Sequence, residues 1–297
     1  MSTMRGVAIL VVVLVPNVAR TQNQISFLEA QCQFKVGKAA VKFVAAKTKC
    51  VSACVARARK APPLNPESDC FPPFGGATLT CIADPIKGAE AKAIAAINKA
   101  CLVIDPLKID CPECYSARGG GPDCSGHAED VIVDGLSNPT AASLESQIDA
   151  LGFIFCTDNP NTTAEDTCEQ GLSKALVKFV SCKGKCYLKC YGGILKGTVP
   201  PGSCNPPSPG DATAQTCLFD SIKGCENKSI AAIDKACFTA PADAPECYGS
   251  LNGHSVVALV ETAIDGVIPN IACGSPSGAF LSSEIATEVD AARAAER

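Results

Sequence analysis

The sequence predicts an all-α fold: two tandem disulfide-stapled helical domains, each a long antiparallel helical hairpin plus shorter helices. Three observations predict it. Residues 86–101, IKGAEAKAIAAINKAC, recur at 222–237 as IKGCENKSIAAIDKAC, identical at 12 of 16 positions and offset by 136 residues. The chain has 20 cysteines in 297 residues, no Trp, 11 Phe and 4 Tyr, so covalent staples must make up for thin cores. Apolar residues and cysteines recur at steps of three and four, the period of a helix.

Residues 1–21 read as a signal peptide. An Arg precedes the uncharged apolar run 6–15, too short to span a bilayer. Export to the extracellular space or periplasm makes disulfides the default state of the cysteines. The net charge of −4 points to no particular partner.

The two copies span 28–158 and 164–274, joined by the polar stretch TDNPNTTAED and followed by an acidic tail, 275–297. Cys32, Cys50, Cys54, Cys81 and Cys101 match Cys168, Cys186, Cys190, Cys217 and Cys237 at the 136-residue offset. Cys70, Cys114 and Cys156 match Cys204, Cys247 and Cys273 after small deletions. Cys111 and Cys124 occur only in the first copy, and Cys182 and Cys225 only in the second. Cysteines that arrive in twos within one copy bond to each other, so Cys111 pairs with Cys124 and Cys182 with Cys225.

In the first copy the long segment from Phe27 has no Pro before Pro62, and Cys32, Val36, Ala39, Phe43, Ala46, Cys50 and Cys54 share one face. The second segment follows Asp84-Pro85 and keeps Ile86, Ile94, Ile97 and Cys101 on one side. Antiparallel helices of equal rise hold contacting positions at a constant sum. That rule predicts Cys32–Cys101 and Cys54–Cys81, with Ala46 facing Ala89, and Cys168–Cys237 and Cys190–Cys217 in the second copy. The remainder favours Cys50–Cys70 and Cys114–Cys156, repeated as Cys186–Cys204 and Cys247–Cys273.

The loop CPECYSARGGGPDCSGH places Cys111, Cys114, Cys124 and His127 at a zinc-like spacing. The disulfide reading is preferred, because the second copy keeps only Cys247 and His254, and zinc at Cys114 would orphan Cys156. His127 and His254 open the last helical stretch of each copy and read as structural. No metal, cofactor or catalytic residue is assigned, and the chain reads as not an enzyme.

Lys35, Lys38, Lys42 and Lys49 form a stripe beside the cysteine face, repeated by Lys174, Lys178 and Lys185. Through Lys38, Lys42, Lys174 and Lys178 such stripes attract an anionic surface or polymer. Nucleic acid is not expected, since interleaved aromatics are missing, and no membrane span is expected in the mature chain. Sequons occur at Asn161 and Asn227.

Runs such as KAAVKFVAAKTKCVSAC and IKGAEAKAIAAINKAC, followed by CPECY, resemble the Lys/Ala-rich, cysteine-punctuated helical repeats of uncharacterised proteins exported by bacteria. The resemblance implies no activity and transfers no functional residues. The sequence therefore reads as an exported, disulfide-rich, non-enzymatic structural or binding protein of two homologous helical repeats. A carrier of an apolar small molecule or lipid is the alternative, and would need an apolar cavity per repeat. A secreted hydrolase is the second alternative, and would need His127 or His254 beside a nucleophile or acid.

Overall fold

The computed structural model describes residues 27–60, 63–101, 129, 131–133, 143–150, 162–200, 202–238, 244–249 and 251–271. Residues 1–21, expected to be a signal peptide, His127, Asn161, the expected Cys111–Cys124, Cys114–Cys156 and Cys247–Cys273 pairings and the tail from 275 onward lie outside these residues. Among the described residues all regular structure is helical. None of their helices is long and apolar enough to cross a membrane.

The first copy contributes α1 (Phe27–Ala58), a 3-10 turn (Glu67–Cys70), α2 (Gly76–Ala83), α3 (Ala89–Cys101) and α4 (Leu144–Ala150). The second contributes α5 (Thr163–Leu195), α6 (Ala212–Phe219), α7 (Cys225–Cys237), a 3-10 turn (Glu246–Tyr248) and α8 (Gly253–Ile271). α1 runs 32 residues because nothing in it breaks a helix. α5 starts at a capping box: the Glu165 amide donates to Thr162 Oγ1 at 3.1 Å, and the Thr162 amide donates to Glu165 Oε2 at 2.9 Å. It stops before Gly197, whose φ of 68° suits only a residue without Cβ.

α3 packs on α1, α1 on α5, and α5 on α7, giving a layer in the order α3, α1, α5, α7. α4 and α8 touch each other, and each also packs against the long helices, α4 on α1 and α8 on α5 and α7. Two glycines let the long helices approach. A Cβ on Gly37 would lie 2.6 Å from Leu188 Cδ2, and one on Gly184 would collide with Val41 Cγ2. Further along, Ser52 Oγ lies 2.9 Å from Ser173 Oγ. Each step up α1 is matched by a step down α5, so the two run antiparallel. At the 136-residue offset Leu188 is the counterpart of Ser52, and Ser173 that of Gly37. The Gly37–Leu188 and Ser52–Ser173 contacts are thus one contact seen from both sides of a local twofold.

One core cluster draws on both copies, joining Phe43, Ile97, Ile132 and Leu144 to Ile194 and Ile271. A second gathers Leu172, Phe179, Ile233, Tyr248, Val256 and Val260. Each large apolar side chain so buried is worth about 1.5–3 kcal/mol in transfer terms.

The disulfides define how the short helices meet the long ones. Cys32 is bonded to Cys101, Cys168 to Cys237 and Cys182 to Cys225. The expected Cys54–Cys81 and Cys50–Cys70 bonds are not formed. Cys50 is bonded to Cys81 and Cys54 to Cys70, and the second copy repeats this as Cys186–Cys217 and Cys190–Cys204 in place of Cys186–Cys204 and Cys190–Cys217. The constant sum holds only along one continuous helix, and Cys81 sits on a separate helix, α2. What the returning chain does enforce is order. Residues 101, 81 and 70 meet α1 at 32, 50 and 54 in strict nesting, whereas the expected pair would cross. Cys247 is also disulfide-bonded, and no described cysteine is free.

Ile86 departs from expectation as well. It is 81 % exposed, and its counterpart Ile222 is 78 % exposed. Both lie in a turn before α3 or α7, held by an Asp. Asp84 Oδ1 accepts from the amides of Ile86 (2.9 Å) and Lys87 (2.6 Å), and Asp220 does the same for Ile222 and Lys223. The helix therefore begins at Ala89, not at Pro85.

Candidate functional site

Two lysines are buried, one per copy, 136 residues apart: Lys47 and Lys183. Both sit on the cysteine-bearing face of a long helix, where α4 or α8 covers them. Lys47 Nζ lies 2.5 Å from Glu145 Oε1 and 2.7 Å from Asp149 Oδ1. Lys183 Nζ lies 2.5 Å from Glu261 Oε1 and 2.6 Å from Asp265 Oδ1. Each acid pair is spaced i, i+4, so both carboxylates project from one side of their helix. Aromatic rings flank the ammonium groups: Phe74 at 5.1 Å from Lys47, and Phe179 and Tyr187 at 5.9 Å from Lys183.

A third acid completes each cluster. Burial, then the charge of Glu145, pushes the Glu90 carboxyl up to about 7. Burial, then Glu261, raises Glu226 in the same way, opposed by His254 and Lys183. Burial also raises Asp265, against the pull of its Lys183 hydrogen bond. These clusters hold α4 and α8 onto the layer. They occupy the space between the long helices and the last helix where an apolar ligand would have to sit.

The other side of the layer has the opposite character. On α1, Gly37, Val41 and Ser52 turn toward α5, while Val36, Ala39, Phe43 and Cys50 are buried toward α3 and the core. Lys35, Lys38, Lys42 and Lys49 fall between those directions, away from α4, and all four are exposed. On α5, Lys174, Lys178, Lys185 and Lys189 occupy the corresponding face and are exposed. The local twofold runs through the α1–α5 contact and perpendicular to the layer, so it carries one stripe onto the same side as the other. Lys92 and Lys99 on α3, and Lys228 and Lys235 on α7, extend that side and are exposed too. The acids of these four helices whose side chains are described are engaged elsewhere. Glu90 and Glu226 join the buried clusters, Asp234 Oδ1 accepts from the Gly253 amide of α8 at 3.0 Å, and Asp166 and Glu169 pair with Arg59 at the α1–α5 contact.

At one edge of this face a groove of about 650 Å³ opens between α1 and α2–α3. Its lining includes Ala46, Ala53, Ala77, Ala89 and the Cys50–Cys81 bond, with Lys49, Arg57, Lys87 and Lys92 and the two acids Asp69 and Asp84. In the second copy Cys182 and Cys225 take the places of Ala46 and Ala89, and their disulfide ties the helices together there.

The structure brings Lys38, Lys42, Lys174 and Lys178 onto one side, which two separate stripes did not foretell. His254 is exposed on the first turn of α8, on the side away from the lysines. Asn227 donates through Nδ2 to the carbonyl of Asp220 at 3.1 Å, so its amide closes α6. Cys182, Cys186 and Cys225 place their sulfurs within 4.8 Å of one another, but as members of two disulfides they offer no thiolate. Lys47, Lys183 and their acids were missed in the sequence. The signal was there: a lysine in register with Cys50 and Cys54, and an i, i+4 acid pair in both last helices. No protein-family model, curated protein or solved structure matches the chain.

Proposed function

We propose that the chain is an exported, disulfide-rich, non-enzymatic binding protein built of two homologous helical repeats, 28–158 and 164–274. One observation supports it above the rest: charge is sorted across the helical layer. The buried side joins each interior lysine to two carboxylates, which ties up the groups an acid–base mechanism would use. The open side presents lysines to solvent on rigid, covalently stapled helices, which suits recognition. The seven described disulfides fit an oxidising compartment.

The test is expression of the full chain, followed by intact-mass analysis of the product after alkylation under denaturing, non-reducing conditions. The expected product lies outside the cell, lacks residues 1–21 and carries no alkylated thiol. A product retained in the cytoplasm with reduced cysteines overturns export. Turnover of ester, peptide or glycoside probes that disappears in His254→Ala overturns the non-enzymatic reading.

A further inference from the structure

We infer that the open side of the α3–α1–α5–α7 layer docks onto an anionic lipid surface. This deepens the binding-protein reading by naming its partner. Vesicle binding can fail while the export and thiol results stand, so the two are separable.

Twelve lysines share this side: Lys35, Lys38, Lys42, Lys49, Lys92 and Lys99 of the first copy, and Lys174, Lys178, Lys185, Lys189, Lys228 and Lys235 of the second. Among the described acids of these four helices, Glu90, Asp166, Glu169, Glu226 and Asp234 are engaged away from this side. A protein with this polarity approaches a negative plane one way up. The dimensions suit a plane better than a strand. α1 has 32 residues, about 48 Å at 1.5 Å per residue, and four helices spaced 8–10 Å apart add roughly 30 Å of width. A single polymer strand would meet one row of lysines and leave the others unpaired.

The chemistry of the face points the same way. Lysine is a flexible point charge that reaches toward headgroups, without the planar fork that reads a particular phosphate. Phe34, the aromatic at the edge of the face, is packed toward Gly192 and covered by Lys38 Nζ at 4.3 Å. It offers no platform for stacking bases. The contact is therefore electrostatic, peripheral and reversible, with each lysine near the surface worth about a fivefold factor in partitioning.

The experiment is co-sedimentation of the full exported chain with phosphatidylcholine vesicles, with and without phosphatidylglycerol, at low and high salt. Binding is expected only to the vesicles that contain phosphatidylglycerol, and it should be lost at high salt. Lys38→Gln, Lys42→Gln, Lys174→Gln and Lys178→Gln together should weaken partitioning by roughly several hundredfold, with helicity and melting unchanged. Amine acetylation should modify the twelve lysines of the face far less in the vesicle-bound protein than in the free protein. Equal binding to neutral vesicles, protection centred elsewhere, or a quadruple variant within a few-fold of the parent would each overturn the inference. So would tight binding of soluble heparin or polyphosphate combined with no binding to anionic vesicles, which would make the partner a polymer.

Discussion

Replacing Cys182 and Cys225 together by Ala should leave the fold intact and lower its stability by roughly 3 kcal/mol. The fold survives because the first copy builds the same helix pair with Ala46 and Ala89 in those places. The two bonded residues are 43 apart, and a loop of that size closed alone would be worth about 4 kcal/mol in the chain-entropy model. The Cys186–Cys217 bond lies inside it, however. In the unfolded chain the outer bond then closes only the path from 182 to 186 and from 217 to 225, about a dozen residues, worth roughly 3 kcal/mol. Thermal unfolding without reductant should show a fall on the order of 10 °C. A midpoint within about 2 °C of the parent would refute the nested-loop reasoning. The single change Cys182→Ala carries a sharper signature. Cys186 Sγ lies 3.4 Å from Cys225 Sγ, so the freed Cys225 thiolate can attack the Cys186–Cys217 bond and release Cys217 as the new thiol. Peptide mapping should find Cys186 joined to Cys225, and an untouched Cys186–Cys217 bond would show that the two sulfurs do not exchange.

Three further outcomes are expected. The Glu90 carboxyl sits near 7 in the folded chain, above its unfolded value near 4.5. The folded state therefore holds that proton more tightly, and stability falls as pH rises from about 4.5 through 7. Glu90→Gln should recover about 1–2 kcal/mol at pH 8, allowing for solvent screening of a half-buried group, and almost nothing at pH 4. Urea midpoints at the two pH values check it. Lys183→Met strands Glu261 and Asp265 without their cation and should cost about 3–5 kcal/mol, whereas the same change at exposed Lys185 should fall within about 0.5 kcal/mol. Denaturant titration separates the two. Ala46→Cys with Ala89→Cys should form a disulfide across the groove of the first copy and raise the melting midpoint, as differential scanning calorimetry and peptide mapping would show.

Helicity, the repeat and the covalent frame were legible because each leaves a local trace. A run without Pro from Phe27, cysteines at helical steps and a 136-residue echo all survive without knowledge of packing. The rungs at Cys50 and Cys54 were not legible. Both cysteines share one face, and choosing their partners requires knowing that Asp84 ends α2 and forces a turn. Ile86 was misplaced for the same reason, since periodicity does not reveal an Asp side chain capping the two following amides. The lysine face was half visible. Stripes on α1 and α5 can be read from spacing, but their common side depends on Gly37 and Gly184 setting an antiparallel contact across the copies.

That contact has a consequence for how such a chain could arise. Its two surfaces are isologous: what Gly37 offers, Ser52 and its counterpart accept, and the reverse. A polypeptide holding the first copy alone would present a self-complementary flank and could close on a second molecule of itself. Tandem duplication turns that bimolecular encounter into an intramolecular one, at an effective concentration set by the tether rather than by expression level. Once the mates are covalently joined, they no longer need to be identical. One half is free to gain the Cys182–Cys225 rung, while the other keeps alanines and an open groove. The chain is in this sense a homodimer that has stopped being symmetric.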